Sequence, residues 1–115
     1  MKTLAWSCLA VVMLAACGDS EESACKKAGA LLCQKACDCG KDKCVVATQA
    51  AAGTATISFD TEAQCTAMYV DLGCSGGGDP ATDYQACYDA LKSAACAGTT
   101  PTDGVLLPAT CSASQ

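Results

Sequence analysis

Twelve cysteines and no histidine stand in these 115 residues, so thiol chemistry dominates what the chain can do. A thiol can close a disulfide, hold a soft metal, or act as a thiolate in redox exchange. The densest run is "CQKACDCGKDKC", which places Cys33, Cys37, Cys39 and Cys44 within twelve residues. Zinc or copper(I) would suit four such thiols. The spacing, however, lacks the paired two-residue gaps of zinc ribbons, and no histidine completes a mixed ligand set. There is also no Cys-x-x-Cys motif, and Cys37-Asp38-Cys39 is the one close pair that hints at redox work. Structural disulfides are therefore the leading reading of this cluster, with metal binding and thiol redox as alternatives.

Other chemistry has little to stand on. Without histidine, acid–base catalysis needs a tuned carboxylate or lysine, and no motif singles one out. Asp38 and Asp42 flank Cys39 as ordinary loop acids. Gly76-Gly77-Gly78 is followed by Asp79 rather than lysine, which disfavours a phosphate cradle. No catalytic residue, metal ligand or cofactor is expected, and the chain does not read as an enzyme. Beyond residue 16 there are six lysines, no arginine and twelve acids, a net side-chain charge of −6. That balance argues against nucleic acid as a partner, which calls for clustered cations.

Residues 1–16 look like an export signal: Lys2 supplies the positive charge, an apolar run follows from Leu4 to Leu14, and small residues close it. The run is too short for a permanent membrane span. Leu14-Ala15-Ala16-Cys17 resembles the lipobox of bacterial lipoproteins. The resemblance implies cleavage before Cys17, a diacylglycerol thioether on its sulfur, and acylation of the new amino terminus. One acyl chain anchors marginally, whereas two or three anchor stably, at about 0.8 kcal/mol per buried methylene. Gly18 rather than Asp follows the cysteine, which by the lipoprotein sorting pattern implies the outer membrane, at its periplasmic face or the cell surface. The competing interpretation is an ordinary export signal that leaves Cys17 as a disulfide partner.

With Cys8 inside the signal and Cys17 assigned to lipid, ten cysteines remain: Cys25, Cys33, Cys37, Cys39, Cys44, Cys65, Cys74, Cys87, Cys96 and Cys111. An even count, an oxidising compartment and a chain poor in large apolar side chains together point to five disulfides. Their connectivity is open at this level.

The elements that must position these sulfurs read as helical. Ser20 or Ser23 can cap a first helix with Glu21 and Glu22 near its start, an apolar stripe at Ala24, Ala28, Leu31 and Leu32, and an end near residues 37–40. Residues 45–52 are Ala-rich and ambiguous, and "TATISF" (54–59) is β-like but without an obvious partner. Thr61 with Gln64 fits a capping box for a second helix, with Cys65, Met68, Tyr69 and Leu72 as its buried side and Gly73 as its stop. Asp79 and Pro80 are expected to start a third helix, with a stripe of Tyr84, Cys87, Tyr88, Leu91 and Ala95, ending at Gly98. The fold class expected is all-α, a small disulfide-stapled domain of about three helices with irregular loops. Its organisation would be signal peptide 1–16, lipidated cysteine and acidic tether 17–23, and Cys-rich domain 24–115.

A faint repeat, offset by 22 residues, sets Cys65 and Cys74 against Cys87 and Cys96. It resembles helical-hairpin proteins whose helices carry cysteines ten apart. Here the separation is nine, which at 3.6 residues per turn turns the two sulfurs to opposite sides. At least one cysteine of each pair should therefore reach outside that hairpin. The mature layout, closing on Leu107-Pro108 and Cys111, also resembles small Cys-rich lipoproteins of Gram-negative bacteria, a likeness that brings no activity with it.

The expected function is a lipid-anchored cell-envelope module, structural or binding, attached to the membrane through Cys17 and meeting an envelope protein partner. The alternatives are an envelope metal-binding or thiol-redox protein using residues 33–44, and a secreted inhibitor or toxin on a Cys-dense scaffold.

Overall fold

The computed structural model describes residues 21–50 and 53–112. Its first element, α1 (Glu21–Gly40), is twenty residues long, about 30 Å of helix. Alanine, leucine, lysine and glutamine favour that conformation, and Glu22 and Lys26 add an i,i+4 ion pair at 3.0 Å. Ala24, Cys25, Ala28, Leu32, Cys33 and Ala36 are buried along one stripe. The stripe is built of small groups, so neighbours come close to the helix axis. A Cβ on Gly29 would lie 2.8 Å from the Tyr69 carbonyl oxygen and 2.9 Å from Val70 Cγ2. Residues 21–23, read above as part of the tether, are helical.

After α1 the chain turns through Lys41, which takes a left-handed φ of 66° and donates its N–H to the Cys37 carbonyl at 3.1 Å. The all-α expectation then fails. β1 (Cys44–Ala50) and β2 (Gly53–Phe59) pair antiparallel, from Cys44 opposite Phe59 to Ala50 opposite Gly53. β3 (Val105–Leu106) joins the other side of β1 in parallel, giving a three-stranded mixed sheet in the order β2-β1-β3. The partner that "TATISF" lacked on paper is the ambiguous Ala-rich run before it.

Burial explains why β1 is hard to read. Val45, Val46 and Ala47 are all buried, though consecutive strand residues point to opposite faces. Val46 joins the core packed on α1, whereas Val45 lies against Gly40 and Gly104. With both faces covered, the period-2 alternation that marks a half-exposed strand disappears. Gly104 has a φ of 67°, and a Cβ there would run into the Val45 carbonyl.

The second helix, α2 (Glu62–Thr66), starts as its capping signal suggests. Thr61 Oγ1 accepts from the Gln64 N–H at 3.2 Å, while Gln64 Oε1 reaches one residue further back, to the Asp60 N–H at 2.9 Å. The helix then widens into a π-type turn over Ala67–Leu72, closed by the Gly73 N–H on the Met68 carbonyl at 2.9 Å. This change of pitch breaks the expected stripe. Cys65 is buried and Tyr69 half-buried, but Met68 is 44% and Leu72 76% exposed.

The third helix, α3 (Tyr84–Lys92), also departs from expectation. Its cap is Asp83, whose Oδ1 accepts from the Ala86 N–H at 3.1 Å. Asp79 instead organises a turn: its side chain accepts from the Ala81 N–H at 2.9 Å and its carbonyl from the Thr82 N–H at 3.1 Å. α3 ends at Lys92 with Ser93 as its C-cap, well before Gly98, and Ala95 lies outside it, exposed. Lys35 of α1 caps that end in space, donating to the Lys92 and Ala94 carbonyls at 3.0 and 3.2 Å.

The largest fully buried side chains are Leu91, Val46, Val105, Cys33, Cys65 and Cys74. Half of that list is cysteine. In a core this thin, sulfur does the packing as well as the cross-linking.

Candidate functional site: the cysteine framework

All ten cysteines from Cys25 to Cys111 are paired, as Cys25–Cys74, Cys33–Cys65, Cys37–Cys44, Cys39–Cys96 and Cys87–Cys111. Four of the five bonds leave α1, and each goes to a different place. Cys25 ties the start of α1 to the end of the π-type turn, Cys33 its middle to α2, Cys37 its last turns to β1, and Cys39 to the loop before β3. The fifth joins α3 to the C-terminal segment through Cys111. At 100° per residue the four cysteines of α1 spread over an arc of roughly 160°. Their uneven spacing of eight, four and two residues is what lets one helix address four directions.

The faint repeat does not make a helical hairpin. Cys65, Cys74, Cys87 and Cys96 all bond outside their own pairs, to Cys33, Cys25, Cys111 and Cys39. The separation of nine argued for at least one such departure in each pair, and the structure makes both.

The metal reading of residues 33–44 meets a direct obstacle. The four sulfurs of that run are spent on three disulfides, and among the described residues no group of three or more His, Cys, Asp or Glu is placed to hold a metal ion. Among the same residues no cysteine is free. Cys17, the residue read as the lipid carrier, lies outside the described residues.

Three ionisable groups have displaced pKa values, each with a plain structural cause. Lys43 pairs with Asp60 at the base of the β1–β2 hairpin and holds its carboxyl below the usual aspartate value. Hydrogen bonds from the Thr100 hydroxyl at 2.8 Å and its N–H at 3.1 Å lower Asp103. Burial raises the Tyr69 phenol, whose ring meets Phe59 edge-on at 5.9 Å. Asp60 is matched by an exposed ion pair, Asp103 by hydrogen bonds from Thr100, and Tyr69 by burial.

The tyrosines serve packing. Tyr84 accepts the Asp79 N–H at 2.7 Å, which ties the 79–82 turn to α3. Tyr88 lies between Lys27 and Lys92, each 5.1 Å from its ring centre. An apolar cleft between α1, Tyr69, Tyr84 and the Cys87–Cys111 bond measures about 70 Å³, room for about two waters. A broader hollow of about 600 Å³ beside Ala24 and residues 80–85 lies open to solvent. Sequence reasoning missed Lys35, Asp83 and Asp103 as structural residues. A Thr100–Asp103 capping box was there to be found, whereas Lys35 acts on carbonyls 57 and 59 residues away and left no local mark.

Among the described residues, no helix is long and apolar enough to cross a membrane. Comparison with protein-family models, with curated proteins and with solved structures finds no match to this chain.

Proposed function

We propose that this chain is a lipid-anchored protein of the cell envelope, whose disulfide-rich domain serves a structural or binding role beside its membrane. One observation carries the reading. The ten cysteines of the domain close on one another, so the sulfur of Cys17 is not needed by any of them. That cysteine directly follows Leu14-Ala15-Ala16 at the end of an export-type segment, where lipoprotein processing would use it. Glu21, four residues after Cys17, is already helical, so the anchor would hold the domain close to the lipid surface.

Five internal disulfides also favour an oxidising compartment, in keeping with residence beyond the inner membrane. Gly18 after the cysteine favours the outer membrane. A non-catalytic role is supported by the dispersed, individually explained titrating groups and by the pairing of every described cysteine.

The test is intact-mass analysis of protein purified from its native envelope, with and without thiol alkylation. The expected product starts at Cys17, carries the added mass of acyl chains and takes up no alkylating reagent before reduction. A chain without lipid that starts elsewhere would overturn the anchor. Uptake of reagent by several thiols would return metal or redox chemistry to the front.

A further inference from the structure

We propose that the free edge of β2 is a self-association edge, on which two copies of this chain pair β2 with β2 antiparallel about a two-fold axis at Thr56. The three-stranded sheet would then continue as six strands across the pair.

The hydrogen-bonding parity of the sheet makes the edge available. The Leu107 N–H donates to the Ala47 carbonyl at 2.8 Å, so the peptide groups of Ala47 face β3. In an antiparallel ladder the residue opposite, Thr56, must likewise turn its N–H and C=O away from β1. Alternation puts Thr54 and Ser58 in the same state, while Ala55, Ile57 and Phe59 bond β1. Among the described residues that edge is unpaired and presents the N–H and C=O groups of Thr54, Thr56 and Ser58, and residues 53–58 are all exposed.

Edge strands are usually guarded by charge, proline, a bulge or brevity. β3 has such protection: it is two residues long, and Val105 is met on its outer side by a bridge to Cys96. β2 has none of it. It is seven residues long, and no charged residue or proline occurs from 44 to 59. The flanking charges, Lys43 and Asp60, neutralise each other at the hairpin base. In a chain with a net charge of −5, this is a stretch where two copies can meet without like-charge repulsion.

What selects a second copy as the occupant is the strand's self-complementarity. Read in opposite directions about Thr56, the pairs are Thr56 with Thr56, Thr54 with Ser58, Ala55 with Ile57, and Gly53 with Phe59. Hydroxyls face hydroxyls, aliphatics face aliphatics, and an aromatic covers a glycine, all favourable cross-strand pairs. The parity agrees as well. Thr54, Thr56 and Ser58 of each copy meet as hydrogen-bonded pairs, so every edge N–H finds a carbonyl across the axis. Ile57, 39% exposed, would be covered by Ala55 of the other copy. The contact is smaller than the ~1,200 Å² of a standard interface, so association should be weak and dependent on concentration.

The test uses the full chain in two measurements. Amide hydrogen exchange on the unaltered protein should slow severalfold at Thr54, Thr56 and Ser58 as concentration rises, with Ala55, Ile57 and Phe59 unchanged. Thr56→Pro removes an N–H that the hairpin does not use, and should abolish that concentration dependence. In the second measurement, Thr56→Cys should form an oxidised dimer, since hydrogen-bonded pairs set Cα atoms about 5.5 Å apart, within disulfide range. Ser58→Cys should not, because its two copies would lie four residues, about 13 Å, apart along the strand. Edge amides that stay unprotected at every concentration, as they would if the edge receives a different protein, overturn the proposal. Equal cross-linking at both positions overturns the two-fold register.

Discussion

α1 and β2 are held in opposite ways. α1 sends out four disulfides and buries a stripe of small residues against its neighbours. β2 carries no cysteine, is bonded along one edge to β1, and exposes nearly all its side chains. The contrast shows where this domain invests its order. A chain with Leu, Val and Cys as its largest fully buried groups cannot hold every element by apolar burial. It concentrates covalent links on one helix and leaves the hairpin's outer strand to backbone hydrogen bonds.

The sharpest way to break that contrast is to remove a bond from α1 and compare it with a truncation on β2. Replacing Cys33 and Cys65, both fully buried, by alanine should lower unfolding stability by about 2–5 kcal/mol. Ile57→Ala on β2 should cost less than about 1 kcal/mol, because the side chain is already partly in water. Denaturant titration of both variants decides it, and equal losses would end the distinction.

A second change tests whether small residues on α1 set the packing distance. Gly29→Ala places a Cβ against the Tyr69 carbonyl and Val70, and should destabilise by about 1–3 kcal/mol through overpacking. The helix-propensity gain of Gly→Ala, at most about 1 kcal/mol, opposes it. A net stabilisation would mean that the π-type turn yields easily.

A smaller effect is expected where α1 ends. Lys41 holds a left-handed φ that glycine adopts freely. Lys41→Gly should therefore stabilise by up to about 1 kcal/mol, read as a rise in Tm at unchanged disulfide content. A fall would show that the lysine side chain contributes more than its backbone costs.

The smallest expected effect is on pH dependence. Asp60 and Asp103 have folded-state pKa values below the ordinary 3.8, so each favours the folded state when ionised. That contribution is complete above pH 3.8 and fades as acid takes the pH down through the lowered folded values. Asp60 is exposed and Asp103 only half-buried, so the slope should be shallow, and it should weaken with salt at Asp60, where an ion pair is the cause. Asp60→Asn should flatten the acid limb of a stability–pH curve. Tyr69 works at the other end: its raised pKa means stability is retained below pH 10.0 and lost as the pH climbs through the folded value.

The parts of the fold that could be read along the chain are those that depend on near neighbours. The helical composition of α1 and its end at Gly40, the Thr61–Gln64 cap and the β character of residues 54–59 all rest on residues a few positions apart. The misreadings have the same origin. Asp79-Pro80 has every local mark of a helix start, but the chain uses Asp79 for a turn and caps α3 with Asp83. Leu72 sits at a helical spacing from Cys65, and only the widening of the turn at Ala67–Leu72 moves it into solvent.

Cysteine count, charge balance and the helical character of α1 were settled by the amino-acid order, because each depends on composition or on contacts within a turn. The five pairings, the burial of β1 on both faces and the two-residue strand β3 were decided by the folded molecule. Val105 meets Val46 from 59 positions away, and Cys39 meets Cys96 across 57. Such partners are chosen by which surfaces can pack together once the chain is compact, and no periodicity of neighbouring residues records that choice.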